Sequence, residues 1–316
     1  MKYRTLGKTG MDVSVIGIGT WQFGGEWGVD YTAAEAAAIL AKGKELGINL
    51  IDTAECYGDH LSEQLIGQYL KQDRREDWIV ATKFGHFFHD LYDRTDDFSA
   101  EAMIKQLDDS LKALQTDYVD LYQFHSGSDD AFDNEALWTA LSKQKEAGKI
   151  KHIGISLNKQ NSMHQVNAAE QVGAEVIQIV YNRLDRGPED EVFPTCMAQN
   201  LGVLARVPLA SGLLSGKYKP GTTFAANDVR SHRDQALVQS QIEQAQSIQQ
   251  SEVPEGINMA QWALAWCLKH DAVTTVIPGC KTPEQVAANV EALQYIGDEH
   301  PQQTKPNSDT DSASHS

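Results

Sequence analysis

Apolar positions along the chain follow two different periods. Residues 78–81, 118–122, 176–180, 202–205 and 273–277 form short, near-continuous apolar runs that read as strands covered on both faces. Between such runs the apolar residues recur three and four apart: Ala36, Ile39, Leu40 and Gly43, then Ile104, Leu107, Leu111 and Leu114, then Met259, Trp262, Ala263 and Trp266. That spacing predicts helices, each with one face to pack. Strand starts near Ile16, Asn49, Trp78, Tyr118, Lys151, Val176, Gly202 and Val273 give eight strand-then-helix units, which favours a closed (β/α)8 TIM barrel over a doubly wound open sheet.

Three segments depart from the rhythm. Residues 3–6 and 13–15 flank Gly7 and Gly10 and read as an N-terminal β-hairpin that closes the bottom of the barrel. Residues 218–255 are rich in Gln, Asp and Ser and longer than an ordinary βα loop, so a mobile excursion over the top face, a candidate lid, is expected there. From residue 300 the composition falls to Ser, Asp, Gln, Thr and Pro, too polar to offset the cost of ordering. The expected organisation is one barrel over residues 1–299 and a disordered polar tail over 300–316.

Composition narrows the function classes. A chain of 316 residues, 41% hydrophobic and 22% charged, suits a single α/β barrel, and it has no run of eighteen apolar residues to span a bilayer. The first ten residues lack an apolar leader core, so cytoplasm is the expected compartment. Cys56, Cys196, Cys267 and Cys280 lie far apart with no CxxC pair, which argues against a disulfide framework and a thiolate metal site; Cys56 reads as a small buried hydrophobe. A net charge of −17 opposes nucleic-acid binding but leaves room for a local basic pocket that takes one small anionic ligand. No nucleic acid or membrane partner is expected, and oligomeric state stays open.

Catalytic groups of such barrels come from the C-terminal ends of different strands. Asp52 ends the second predicted strand, Tyr57 follows it in Asp-Thr-Ala-Glu-Cys-Tyr-Gly, Lys83 ends the third and His125 the fourth. An ammonium beside a tyrosine favours phenolate and lowers the tyrosine pKa, while a carboxylate keeps the lysine charged, so the trio makes a proton donor. A histidine beside it suits a hydrogen bond to a carbonyl oxygen, and no metal is needed. Each residue alone reads as packing or a paired charge; the combination is what points to chemistry.

With these residues in these contexts, residues 3–293 resemble the aldo-keto reductase family. The resemblance implies a (β/α)8 barrel that reduces aldehydes or ketones with NADPH. Tyr57 is then the general acid, Lys83 and Asp52 tune it, and His125 orients the substrate. Gly19, Thr20 and Trp21, with Asp52, are similar to the stretch beside the nicotinamide ribose, and Ser156 and Gln178 match positions that bind the carboxamide. Leu157 separates Ser156 from Asn158 where many members have Ser-Asn, which leaves Asn182 as an alternative ligand. Pro208, Leu209, Ser211, Gly212, Leu213, Gly216 and Lys217 resemble the pyrophosphate loop. Arg206, just before it, stands where many members stack an aromatic ring on the nicotinamide. Ile277, Gly279, Lys281, Thr282, Gln285 and Asn289 resemble the adenosine site, with Lys281 favouring NADPH over NADH and Gln285 replacing a common arginine. Trp21, Trp27 and Phe87 are expected around the substrate, and His86 and His89 in loops at the mouth. Some relatives of this kind are potassium-channel β subunits, so an NADPH-binding regulatory subunit is the alternative. A Schiff-base aldolase using Lys83 is the third reading, and it leaves Tyr57 and the anion loops idle.

Overall fold

The computed structural model describes residues 1–158 and 162–304. β1 (Tyr3–Thr5) and β2 (Asp12–Ser14) form an antiparallel hairpin, with Tyr3 opposite Ser14 and Thr5 opposite Asp12. The barrel follows in β3 (Ile18–Gly19), β4 (Leu50–Asp52) and β5 (Ile79–Phe84). A second hairpin, β6 (His86–Asp90) with β7 (Asp93–Asp96), interrupts it. The barrel resumes in β8 (Val119–His125), β9 (Ile150–Ser156), β10 (Val176–Val180), β11 (Gly202–Arg206) and β12 (Thr275–Ile277). All eight barrel strands pair in parallel, and bridges Ile16–Val276 and Gly19–Gly279 close β12 on β3. The predicted units are all present. In a βαβ repeat, doubly covered strands and one-faced helices leave few other ways to bury both.

The N-terminal hairpin seals the end at which the strands begin. Leu6 and Val13 are fully buried in one cluster with Leu50, Ala81, Leu121, Val176 and Leu204 from five strands. Gly7 is required there: a Cβ would lie 2.2 Å from the Gly202 backbone nitrogen, and φ is +51°. Residues 300–304, expected in the disordered tail, are described and bonded to β1, through Thr5 N–H to Gln302 O at 2.9 Å and Thr304 N–H to Tyr3 O at 3.1 Å. Backbone pairing along a strand edge holds them, which a composition argument does not register. The rest of the expected tail, 305–316, lies outside the described residues.

The polar stretch 218–255 contains more structure than its composition predicts. A helical turn, Val229–His232, leads into the 17-residue helix Gln235–Ser251, capped by Asp234, which accepts from the Ala236 and Leu237 N–H groups. Val238, Ile242, Ala245 and Ile248 form its one buried face, against Leu213, Leu214, Met259 and Ala263. These four fall at steps of four, three and three, a helical face outnumbered by Gln and Ser, and only 218–234 remain as the excursion over the top. In the helix Met259–Leu268, Met259 and Ala263 are buried as expected, while Trp262 and Trp266 are only partly so; Leu264, Cys267 and Leu268 complete its burial instead.

Candidate active site

Parallel strands bring their C-terminal ends to one face, so residues distant in sequence meet there. Asp52 closes β4, Lys83 sits one residue from the end of β5, His125 closes β8, and Ser156 and Arg206 close β9 and β11. Lys83 Nζ, fully buried, donates to Asp52 Oδ1 at 2.8 Å and to the Thr53 carbonyl at 2.6 Å, and lies 3.4 Å from the Tyr57 hydroxyl. The other Asp52 oxygen accepts from Gln178 Nε2 at 2.7 Å and Gln123 Nε2 at 3.2 Å. Asp52 is therefore held on both oxygens, and Lys83 is aimed at Tyr57 by two acceptors behind it. Gly58 makes the turn possible: at φ +67° it lies so near the loop after β3 that a Cβ would meet Gly24 O at 2.8 Å.

The electrostatics differ from the expectation in one respect. Burial pushes the Tyr57 phenol up to about 12; Lys83 acts in the opposite direction, as predicted, but burial outweighs it and Asp52 adds to it. Tyr57 is a protonated phenol at neutral pH rather than a near-neutral acid. Burial also works against the Lys83 ammonium, yet Asp52 and Tyr57 outweigh it and raise its pKa. His125 is driven well below the usual histidine value by burial, then by His86, Lys83 and Arg206, so its imidazole is neutral. Its ring stands edge-on to Tyr57, centroids 6.4 Å apart, and Trp21 stacks on the other side of Tyr57 at 6.1 Å.

These groups open on a cavity of about 480 Å³. Its wall carries Gly19, Thr20, Trp21, Trp27, Asp52, Tyr57, His125, Gln178, Arg206, Pro208, Leu209, Ser211, Gly212, Lys217, Ile277, Gly279, Lys281, Gln285 and Asn289. Other expected residues lie off that wall. Lys83 is behind Tyr57, and Ser156 is buried with its Oγ 3.4 Å from Gln178 Oε1. Asn182 turns its amide to the Val207 carbonyl at 3.1 Å. Leu213 packs into the cluster under the helix Gln235–Ser251, and Gly216 sits against Gln249 and Met259. Thr282 caps the helix Pro283–Val290 by accepting from Gln285 N–H. Phe87 also stays off the wall; His86, its neighbour on β6, packs on His125 instead, centroids 4.6 Å apart, because successive strand residues face opposite sides.

Two arginines on the wall had no sequence signal. Arg94, on β7, pairs with buried Glu26, which also accepts from Trp21 Nε1. Arg230 comes from the polar excursion. It binds Asp228 with two nitrogens at 2.8 and 2.6 Å, donates to the Tyr218 hydroxyl at 2.7 Å and to Ser211 O at 3.2 Å, and lies over the Phe224 ring. The excursion is fastened across the cavity, with Val229 N–H on Glu26 O at 2.8 Å. Lys281 is depressed by burial, then by Arg230, with Asp228 opposing and Lys217 adding more weakly, so cations stand close together here. Ala210, Ser211 and Gly212 run consecutively at positive φ beside them, a tight turn in which the Ala210 and Gly212 N–H groups bond back to Val207 O and Leu209 O at 2.9 Å. Arg206 Nε and Trp27 Nε1 are buried donors without partners. Crowded cations, unused donors and a long wall from Tyr57 to Lys281 fit an extended anionic cofactor.

Comparison with known proteins agrees. The profile of the Aldo/keto reductase family matches residues 15–302. The chain is 33% identical over 314 residues to the NADH-specific methylglyoxal reductase of Escherichia coli K12, covering 93% of this chain and 94% of that one. It is 30% identical to a probable voltage-gated potassium channel subunit beta of rice, covering 94% and 92%. Among solved structures, the holo form of an aldo-keto reductase from Bacillus halodurans superposes with TM-score 0.78 at 34% identity, covering 93% and 91%. The glycerol dehydrogenase of Gluconobacter oxydans does so with TM-score 0.80 at 26% identity, covering 92% and 90%. On this likeness across nearly its whole length, the chain belongs to the aldo/keto reductase family, oxidoreductases that use nicotinamide cofactors.

Proposed function

We propose that the protein reduces aldehydes or ketones to alcohols, with Tyr57 as general acid and NADPH as the preferred cofactor. The observation that carries this reading is the Tyr57 hydroxyl 3.4 Å from a fully buried Lys83 ammonium, beside a neutral His125, at the wall of a cavity rich in cations. When bound, the reduced nicotinamide supplies a hydride to the carbonyl carbon. The protein's part is the oxygen. Neutral His125 lends a hydrogen bond that fixes the carbonyl, and Tyr57 holds its proton at neutral pH until an alkoxide, a far stronger base than phenolate, develops beside it. Lys83, kept charged by Asp52, then stabilises the phenolate. Trp21 and Trp27, ring centroids 5.1 Å apart, cover the site against water.

In this reading Gln178 holds the carboxamide through its Oε1, Arg206 lies against the ring, and Lys217, Arg230 and Lys281 take the phosphates. Lys281 supports NADPH over NADH because a cation beside the adenosine end gains an ionised partner only from the additional phosphate. The name of the Escherichia coli relative specifies NADH, and the two cofactors are told apart by direct titration.

The test is fluorescence titration of wild type and Tyr57→Phe with NADPH and NADH, followed by cofactor oxidation with a panel of aldehydes. Tyr57→Phe is expected to bind NADPH as wild type does and to lose about 10²- to 10⁴-fold in kcat. Tight binding with negligible turnover in wild type would instead favour a regulatory role of the kind the rice relative's name describes.

A further inference from the structure

A carboxylate oxygen without a partner lies behind the catalytic wall. Glu55 is 2% exposed; its Oε1 accepts the His86 backbone N–H at 3.0 Å, while Oε2 is buried with no hydrogen-bond partner. A buried carboxyl group with an idle oxygen is incomplete without a cation or another donor. Two further ligand atoms lie near the same carboxyl group. His125 Nδ1 lies 3.6 Å from Glu55 Oε1 and 3.9 Å from Cys56 Sγ, and the three side chains present ligand atoms all within 4.8 Å of one another. Among the described residues no other trio of His, Cys, Asp or Glu does this.

We propose that Glu55, Cys56 and His125 form a binding site for a thiophilic divalent cation such as zinc. With metal–ligand lengths of about 2.0–2.3 Å, tetrahedral ligands stand roughly 3.3–3.7 Å from one another, so the carboxylate–imidazole spacing of 3.6 Å already fits, the thiol–imidazole spacing of 3.9 Å closes by a few tenths of an ångström, and the carboxylate–thiol pair, within 4.8 Å, closes by up to about 1.3 Å. A mixed oxygen, nitrogen and sulfur set selects zinc over magnesium or calcium, which take oxygen. The charges balance: carboxylate, thiolate and neutral imidazole cancel the two positive charges, and the thiol proton leaves to solvent. The nearest cations, Lys83 and Arg94, are paired with Asp52 and Glu26, which offsets part of the repulsion that they and Arg206 exert on positive charge at His125. His86, packed on His125, keeps its own Nδ1 on Asp96 at 2.6 Å. Glu55 and Cys56 are buried and His125 lines the cavity, so the ion enters through the cavity and keeps its fourth position towards it. Binding stands apart from the proposed reductase activity; that the ion also alters turnover, through His125, rests on that reading.

The test is a cadmium titration of the reduced full-length protein, following the ultraviolet thiolate-to-cadmium charge-transfer band, with zinc as competitor. One equivalent of band is expected in wild type and in Cys196→Ala, and none in Cys56→Ala. Glu55→Gln is expected to weaken binding about tenfold or more, and release of one proton should tighten wild-type binding by up to about tenfold per pH unit. Circular dichroism and NADPH titration report whether each variant is folded; should Cys56→Ala fail to fold, the wild-type band and its weakened titration in Glu55→Gln decide. No band in wild type, or an equal band in folded Cys56→Ala, would overturn the site. Neither result depends on any carbonyl being reduced.

Discussion

At the scale of single residues, the site works by keeping ionisable groups in chosen states. Tyr57 stays a phenol because burial outweighs the nearby ammonium, and His125 stays neutral because burial and surrounding cations oppose its charge. The His125 shift has a consequence for stability. Its folded pKa is depressed, so below the unfolded value of about 6.5 the unfolded chain binds a proton that the native one does not, and stability falls as pH falls. This loss is absent above about pH 7 and reaches at most about 2 kcal/mol at pH 5. Urea unfolding at the two pH values should show that fall in wild type and a smaller one in His125→Gln; equal falls would mean that His125 is protonated in the native state. The ionisable residues gathered here were legible in the sequence because each sits at a strand end or just after one. Their states were not, since burial depends on what the other strands place around them.

At the scale of elements, the segment joining β11 to the last barrel strand does more than its composition predicts. Its helix Gln235–Ser251 buries only four apolar residues, yet that helix positions the stretch that carries Arg230 onto the cavity wall. Arg230 is tied to Asp228, Ser211 and Tyr218, so it links the loop after β11 to the excursion. Arg230→Met should raise the NADPH dissociation constant about tenfold or more, the loss of one charge-assisted hydrogen-bond set. It should also make residues 218–234 more open to proteolysis. Unchanged affinity on fluorescence titration would remove Arg230 from the proposed cofactor site. The β6–β7 hairpin went unseen for a related reason: its residues, His-Phe-Phe-His-Asp and Asp-Arg-Thr-Asp, are half exposed and carry no apolar run. It forms where antiparallel partners meet, and it brings Arg94 to the wall from outside every expected motif.

At the scale of the whole molecule, the two ends of the barrel divide the work. The bottom is a packed plug of Leu6 and Val13 under five strands, and the top carries the cavity. Leu6→Ala, made at the end opposite the cavity, should lower unfolding free energy by about 2–5 kcal/mol and leave the proposed Tyr57-dependent rate unchanged. A matching loss of rate in the folded protein would show that the ends are coupled. The cation-lined cavity within a chain of net charge −17 is a further consequence of scale: overall charge and local field have opposite signs, and the anionic ligand sees the local one.

By itself the sequence determined the repeat: eight doubly covered strands, the one-faced helices between them, and the strand ends that carry Asp52, Lys83 and His125. These are local properties, readable because neighbours two, three and four residues apart report the face each side chain takes. The tertiary structure alone decided that Tyr57 is a phenol held near 12, that Arg94 and Arg230 join the wall while Phe87 and Ser156 do not, and that Glu55, Cys56 and His125 converge. Each of these depends on burial and on partners tens to more than a hundred residues away, which meet only when the strand ends gather on one face of the barrel, and no periodicity along the chain encodes a distance across a barrel.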